Sequence, residues 1–511
     1  MTNPAAAIRA LVTYAVCIPL AALVGWLLCN PLDYGTLGFF GLVALLLVSP
    51  LLIRWHYPLL VFGLGSPIFC FFLKGNPPLS QVAVILCLAI AIIERTMNSN
   101  KRFMSVPVMT WPLLFTVAMI YFTAEMTGGI GLKALGGEVA GGKKYLAIFI
   151  GIAAYFALTC RPIPKEHRNL YIALFFLPGV VQFVSDLFPV LPSPLNYINL
   201  LIPPSDGSAD GVSARLGGVS ASASVLANFM LAKYGLRGIL RGDRPVRFLL
   251  FFALLILTLI GGFRIVLIFY IQSLFVLFFM EGLHRTRVLP VAMLGLALMV
   301  ALLIPFAHNL PFSYQRSLSF LPLIKLDPMV TVDADGSKKW REDMWADTWP
   351  KVPEYLLLGK GYALSKEDFL MMGDGVFANG VQTTMDRSMT ALAISGDYHN
   401  GPLSTLMPFG IWGAISFIWI CAATFFVLYR NYKFGDADLL TVNRYLLVIF
   451  CIGFLGFFIT FGAYVNAVCD FVKFAGFSIA LNQGVCARKA QAAVFQRIKT
   501  QPRPRPLPVN A

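Results

Sequence analysis

With 58% of its 511 residues apolar, only 13% charged and a mean hydropathy of +0.74, this chain lies outside the soluble globular class. The net charge of +15 falls in the segments between apolar runs. There it reads as a membrane-topology signal rather than as a nucleic-acid surface.

Apolar runs of about 17 to 25 residues, enough to cross about 30 Å of hydrocarbon, recur along nearly the whole chain. The reading gives about fourteen spans, with 12–14 compatible, and hence an all-α polytopic membrane protein. They cover 8–29, 35–53, 57–73, 79–93, 104–124, 145–160, 170–188 and 218–235, then 248–262, 265–282, 288–307, 403–429, 445–464 and 466–484. The first run lacks a small-residue cleavage site before a soluble region and reads as a signal anchor. The short third run also suits a re-entrant segment. Five regions follow: N-terminal helices to residue 190, central helices with arginine-bearing turns over 191–307, a large loop over 308–402, C-terminal helices over 403–484 and a basic tail over 485–511.

Positive residues near helix ends are retained on the cytoplasmic side. Arg95, Lys101 and Arg102, then Arg161, Lys165 and Arg168, fall in one set of loops. The same set holds Arg237, Arg241, Arg244, Arg247, Arg285, Arg287, Arg430, Lys433 and Arg444. Those loops and both termini are assigned to the cytoplasm, and 308–402 to the outside. The tail Gln501-Pro502-Arg503-Pro504-Arg505-Pro506 reads as disordered and suited to anionic lipid. All nine cysteines lie in or beside spans, so neither a disulfide framework nor a thiolate metal site is expected in the outer loop.

At about 95 residues the segment 308–402 is too long for a simple connector. It carries Trp340, Trp345 and Trp349 and a helix-like stretch from about Lys338 to Trp349. A second outer loop, about 189–217, is rich in Pro, Gly and Ser. Asp333-Ala334-Asp335 has the form of a metal motif, but the turn-like, Gly-containing context and the spacing to Gly336 fit no calcium loop, and a solvated loop is the reading taken. Asp470 and Lys473, one turn apart in the last span, are expected to satisfy each other or to face the bundle interior; lining a pathway is the other reading.

Of five histidines, His56, His167 and His284 fall on the cytoplasmic side by this topology, and His308 reads as an interfacial anchor. His399 closes the long loop just before an apolar run, where an imidazole serves as base, donor or ligand; the bland alternative is a helix start capped by Asn400. Arg215 and Arg264 lie at outer span ends, and Arg341 on the predicted loop helix. Arginine near hydrocarbon is costly and is commonly kept for an anion, although snorkelling or an ion pair explains a single one. Guanidinium groups match phosphate in bidentate geometry, so several around one cleft suit a phosphate or pyrophosphate. Arg316 and Lys360 are secondary candidates.

His399-Asn400, nine residues and Gly410-x-x-Gly413 resemble a signature of the O-antigen ligase and polymerase superfamily of bacterial envelope glycosyltransferases. Arg341-x-x-x-Trp345 with Gly359-Lys360-Gly361, Gly262-Phe263-Arg264 and Arg215-Leu216-Gly217-Gly218 resemble further elements, and the likeness spans about 200–470. Gly stands for the usual Ser before Arg264, Lys360 takes a small-residue position, and Ala221-Ser222-Ala223-Ser224 replaces an Asn-Pro-Asn-like segment.

The resemblance implies a C-type membrane glycosyltransferase fold and transfer of a glycan from undecaprenyl pyrophosphate at the outer face of the bacterial inner membrane, without metal, cofactor or nucleotide sugar. Arg215 and Arg264 would grip the pyrophosphate, Arg341 would close over it, and His399 would activate the acceptor hydroxyl with inversion at the anomeric carbon. Asn400, Trp345, Lys360 and Arg316 are the substrate-binding candidates. The acceptor is lipid A core, a second lipid-linked glycan (polymerase) or a protein Ser/Thr; a polysaccharide exporter or flippase is the alternative from another class.

Overall fold

The computed structural model describes residues 4–28, 34–73, 75–98, 103–104, 106–128, 141–204, 215–321, 324–364, 396–459 and 462–487. Among these the chain is helical, with no β-strand and a single isolated bridge between Phe69 and Pro78. The basic tail lies outside the described residues from 488 onward.

Eight described helical stretches have the length and composition to cross a membrane: Leu47–Gly65, Leu79–Met97, Pro107–Thr127, Lys165–Pro189, Val288–Asn309, Gly401–Phe434, Ala437–Ile459 and Tyr464–Asn482. Pro245–Gly261 and Arg264–Met280 are apolar but shorter. No residue of Val288–Phe306 is buried inside the protein. So long an apolar surface is matched by lipid and not by water, and the chain is a membrane protein.

The layout departs from fourteen separate spans. The runs at 35–53 and 57–73 do not form two crossings: α1 (Pro4–Leu28) is followed by a single α2 (Tyr34–Gly65). The polar triplet Arg54-Trp55-His56 does not interrupt it, because His56 Nδ1 finds Ile53 O within the helix at 2.6 Å. The run at 170–188 becomes a short α-helix that changes after Leu177 to 3₁₀ geometry over Pro178–Val190. Pro178 has no N–H for the α ladder. The loop 189–217 contains a 3₁₀ segment, Ser193–Leu200, and its residues 205–214 lie outside the described set.

The chain divides into two compact units, Met1–Tyr57 and Pro58–Ala511. The first holds α1 and the greater part of α2. In the second, α3 (Leu79–Met97), α4 (Pro107–Thr127), α5 (Gly142–Leu158) and α6 (Arg168–Phe176) precede α7 (Gly217–Ile239), α8 (Pro245–Thr258), α9 (Arg264–Met280) and α10 (Val288–Phe306). The large loop contributes α11 (Phe312–Leu318), α12 (Pro328–Thr348) and α13 (Val352–Tyr355), and its residues 365–395 lie outside the described set. The last helices are α14 (Gly401–Phe434), α15 (Leu440–Ile459) and α16 (Tyr464–Asn482).

The core of this unit is α14, which packs on α4, α15 and α16, while α5 joins α16 to α3 and α15 reaches α7 and α9. Helices in lipid gain little from hydrophobic exclusion and use small and polar contacts instead. Thr116 and Ser416 share a hydroxyl hydrogen bond of 2.6 Å between α4 and α14, and Asn431 donates to Ser478 at 2.9 Å between α14 and α16. At the far end of α7 from Arg215 the helix breaks at Gly235, and the buried Glu281 carboxylate accepts from the Leu236 N–H and from Arg444. That contact ties α7 to α15.

Candidate functional site

The site forms where α14 begins. Asn400 caps the helix by accepting from the Leu403 N–H at 3.1 Å, satisfying one of the donors that an α-helix leaves open at its start. His399, immediately before, has a left-handed backbone (φ 49) that only glycine adopts without strain. Ser404, in the first turn, donates to Gly462 O at 2.9 Å and fixes the opening of α14 against the segment entering α16.

Ten residues into α14 the ladder is broken at Gly410 (φ 60, ψ −154). The segment after α13 fills the break. Lys360 N–H donates to Met407 O at 2.7 Å, Gly361 N–H to Pro408 O at 3.0 Å, and Ile411 N–H to Leu356 O at 2.7 Å. A Cβ on Gly410 would meet Leu356 O at 2.4 Å, and one on Gly359 (φ 81) would meet Pro408 O at 2.2 Å. The Gly-x-x-Gly and Gly-x-Gly motifs are therefore two halves of one backbone junction, which clamps the large loop onto the helix that starts at His399.

The third piece is α12, which begins at Pro328, ten residues before the predicted start, with Asp327 capping it through the Met329 N–H. One face points into the protein. Asp333 accepts from Arg215 at 3.4 Å and from Arg316. Ser337 faces Arg316, and the Trp340 ring lies 5.4 Å from the His399 ring. Met344 is buried in a cluster with Tyr398, Leu403 and Met407, and Trp345 Nε1 donates to Tyr398 O at 2.8 Å. The reading of Asp333-Ala334-Asp335 as a solvated loop is thus corrected. The segment is helical, Ala334 is buried, and Asp333 is the anionic centre between two arginines.

Four guanidinium groups gather around this helix. Arg215 and Arg316 are committed to Asp333, and Arg316 also donates to Gly262 O at 2.9 Å. Arg264 donates to Ala334 O at 3.3 Å but forms no ion pair among the described residues, and neither does Arg341. The Nε of Arg341 is buried without a hydrogen-bond partner. Burial, followed by the like charges of Arg264 and Arg316, presses Arg341 below the usual arginine range, though a guanidinium stays charged at any physiological pH. Burial also holds His399 below its ordinary value; Asp397 opposes that shift and Arg341 adds to it. The result is a neutral imidazole near Arg341, in a cluster where Arg264 feels Asp333 and Asp335 but neither Arg264 nor Arg341 forms an ion pair among the described residues. Partly desolvated positive charge with incomplete carboxylate pairing is costly and is relieved when an anion binds.

Of the residues singled out in the sequence, Arg215, Arg264, Arg316, Arg341 and His399 come together here, with Asn400 and Trp345 acting through the backbone that orients them. Lys360 does not join them by its side chain. Its N–H holds the loop to α14, and its ammonium takes part in no ion pair among the described residues. His308, read as an interfacial anchor, contributes a backbone carbonyl that accepts from Gln315 at 3.0 Å. Asp333 and Trp340 were missed as site residues. Their signal was helical spacing, since 333, 337, 340, 341, 344 and 345 share a face once the helix is extended to Pro328.

No curated protein matches the chain in a sequence search. Residues 248–418 match the profile of a family described as O-antigen ligase. The matched segment contains Arg264, Arg316, Arg341, Trp345, His399 and Gly410 but not Arg215, and over that stretch the chain is similar to the O-antigen ligase family.

Proposed function

We propose that the protein is a glycosyltransferase that moves a glycan from an undecaprenyl-pyrophosphate carrier to an acceptor hydroxyl at the outer face of the bacterial inner membrane, in the manner of an O-antigen ligase. One observation carries this reading: two partly buried arginines that form no ion pair among the described residues, Arg264 and Arg341, lie in one cluster with a neutral His399 within the family-matched segment. Cleavage at the anomeric carbon leaves negative charge on the carrier pyrophosphate, and preorganised guanidinium groups stabilise that charge as it develops. Arg264 and Arg341 hold the leaving pyrophosphate. Arg215 and Arg316, tied to Asp333, keep α12 and the positive field in place. His399 takes the acceptor proton as the new C–O bond forms on the face opposite the leaving group, so the anomeric centre inverts. The five-region organisation, with 308–402 outside, belongs to this proposal.

Ligase, polymerase and protein O-oligosaccharyltransferase share this donor chemistry and differ in the hydroxyl they serve. An acceptor panel decides among them. Purified protein in liposomes, given a defined undecaprenyl-pyrophosphate glycan, is expected to transfer it to lipid A core in preference to a second lipid-linked glycan or a Ser/Thr peptide. Transfer to none of the three, with the donor intact, contradicts a transferase and leaves an exporter or flippase.

A further inference from the structure

Away from the arginine cluster, a cavity of about 250 Å³ lies between α3, α5 and α16, with Leu64 of α2 at its edge. Its wall is mostly aliphatic, yet Ser80, Gln81, Asn466, Asp470 and Lys473 also line it. Lys473 Nζ donates to Asp470 Oδ1 at 2.7 Å. At 1.5 Å per residue the two charges lie about 9 and 13 Å along α16 from its first residue, well inside an apolar helix. A self-contained ion pair would explain Asp470 and Lys473 alone. It does not account for Ser80 and Gln81 from α3 and Asn466 from α16, which line the same cavity beside it. The Asp470 side chain is 51% exposed where Lys473 is 21% exposed, so the carboxylate is the more accessible of the two charges.

From this arrangement we propose that the cavity is a second binding site, taking a neutral, hydroxyl-rich headgroup of about one saccharide ring. Hydroxyls donate to Asp470, accept from Lys473, Gln81 and Asn466, and exchange hydrogen bonds with the Ser80 hydroxyl, so every polar group in the lining finds a complement. The pair is neutral overall, and its more accessible member is the carboxylate, which repels an anion. That opposes the character of the arginine cluster and separates the two sites by ligand charge. The volume falls just below the about 300–1,000 Å³ of sites for drug-sized ligands, which limits the occupant to a headgroup rather than a whole glycan. Intramembrane polar groups of this sort are costly unless they serve a ligand or pathway.

The test uses the full chain in phosphatidylcholine nanodiscs with a photo-crosslinkable monoglucosyl diacylglycerol as probe. Crosslinks are expected on α3, α5 and α16, reduced at least about tenfold by Asp470→Asn with Lys473→Gln. Ala147→Phe fills the same cavity without altering a charge and is expected to give the same loss, which guards against misfolding of the charge variant. Unlabelled glycolipid should compete and phosphatidylglycerol should not. Competition by free glucose as well supports the hydroxyl chemistry and assigns it a soluble source. Crosslinks on other helices, labelling unchanged in both variants, or equal competition by phosphatidylglycerol overturns the proposal.

Discussion

His399 has two properties that a residue preceding a helix cap does not need: a left-handed backbone and an imidazole held neutral chiefly by burial, with the Trp340 ring 5.4 Å away. Left-handed geometry costs a non-glycine residue about 1–2 kcal/mol, so stability and chemistry can be separated at this position. His399→Gly should unfold at or above the wild-type temperature in detergent, and His399→Ala below it, while both lose transfer by at least about 100-fold. A glycine variant with wild-type transfer would remove the imidazole from the chemistry. The depressed pKa sets the acid limb. The neutral form is the working base, so activity should persist below the ordinary histidine value of about 6.5 and fail as pH drops through the lower folded value. The same shift makes the imidazole's contribution to stability complete above the unfolded value and lost as pH falls through the folded one. Asp397→Asn removes the opposing carboxylate and should move the midpoint of the pH–rate profile further down; an upward shift contradicts the assignment. The sequence shows His399 and its arginines because charged residues stand out against apolar runs. It hides Trp340, whose indole is one of three in the loop until the helix register is known.

At the scale of elements, α12 and the α14 junction decide whether the arginines meet. The inward face of α12 is regular from Asp333 to Trp345, but Asp-Ala-Asp-Gly carries the composition of a turn. The Asp327 cap, burial of Val330 and Ala334, and the pairing of Asp333 with Arg215 and Arg316 together favour a helix there. Asp333→Ala should therefore loosen α12, raising its amide exchange and lowering transfer although no group that touches substrate has changed. Unaltered exchange over 328–348 would contradict this. The α14 break is legible only in part: two spaced glycine motifs are visible in the chain, but nothing local says that one seats in the other. Gly410→Ala forces a Cβ into a backbone conformation that costs about 1–3 kcal/mol and into contact with Leu356 O. It should lower the unfolding temperature, whereas Gly295→Ala on α10, with open space around it, should not. Equal effects would mean that the junction is not under constraint.

For the whole molecule, hydropathy finds the class and most helices but not their continuity. Periodicity cannot see that α2 runs through Arg54 and His56, because a polar triplet in a helix and one in a loop have the same composition. Nor can it see that Pro178 turns a span into 3₁₀ geometry. Orientation rests on the distribution of Lys and Arg, and a reporter inserted after Lys360 should read as outside; a cytoplasmic signal would invert the proposed topology. The central claim is that Arg264 and Arg341 hold the leaving pyrophosphate of a lipid-linked glycan. The most direct measurement is single-turnover transfer in liposomes with a defined undecaprenyl-pyrophosphate donor, comparing wild type with Arg264→Gln and Arg341→Gln at equal, folded amounts. The predicted result is a loss of at least about 100-fold in the transfer step for each variant, with undecaprenyl pyrophosphate released only alongside transferred glycan. Wild-type single-turnover rates in both variants would contradict the account.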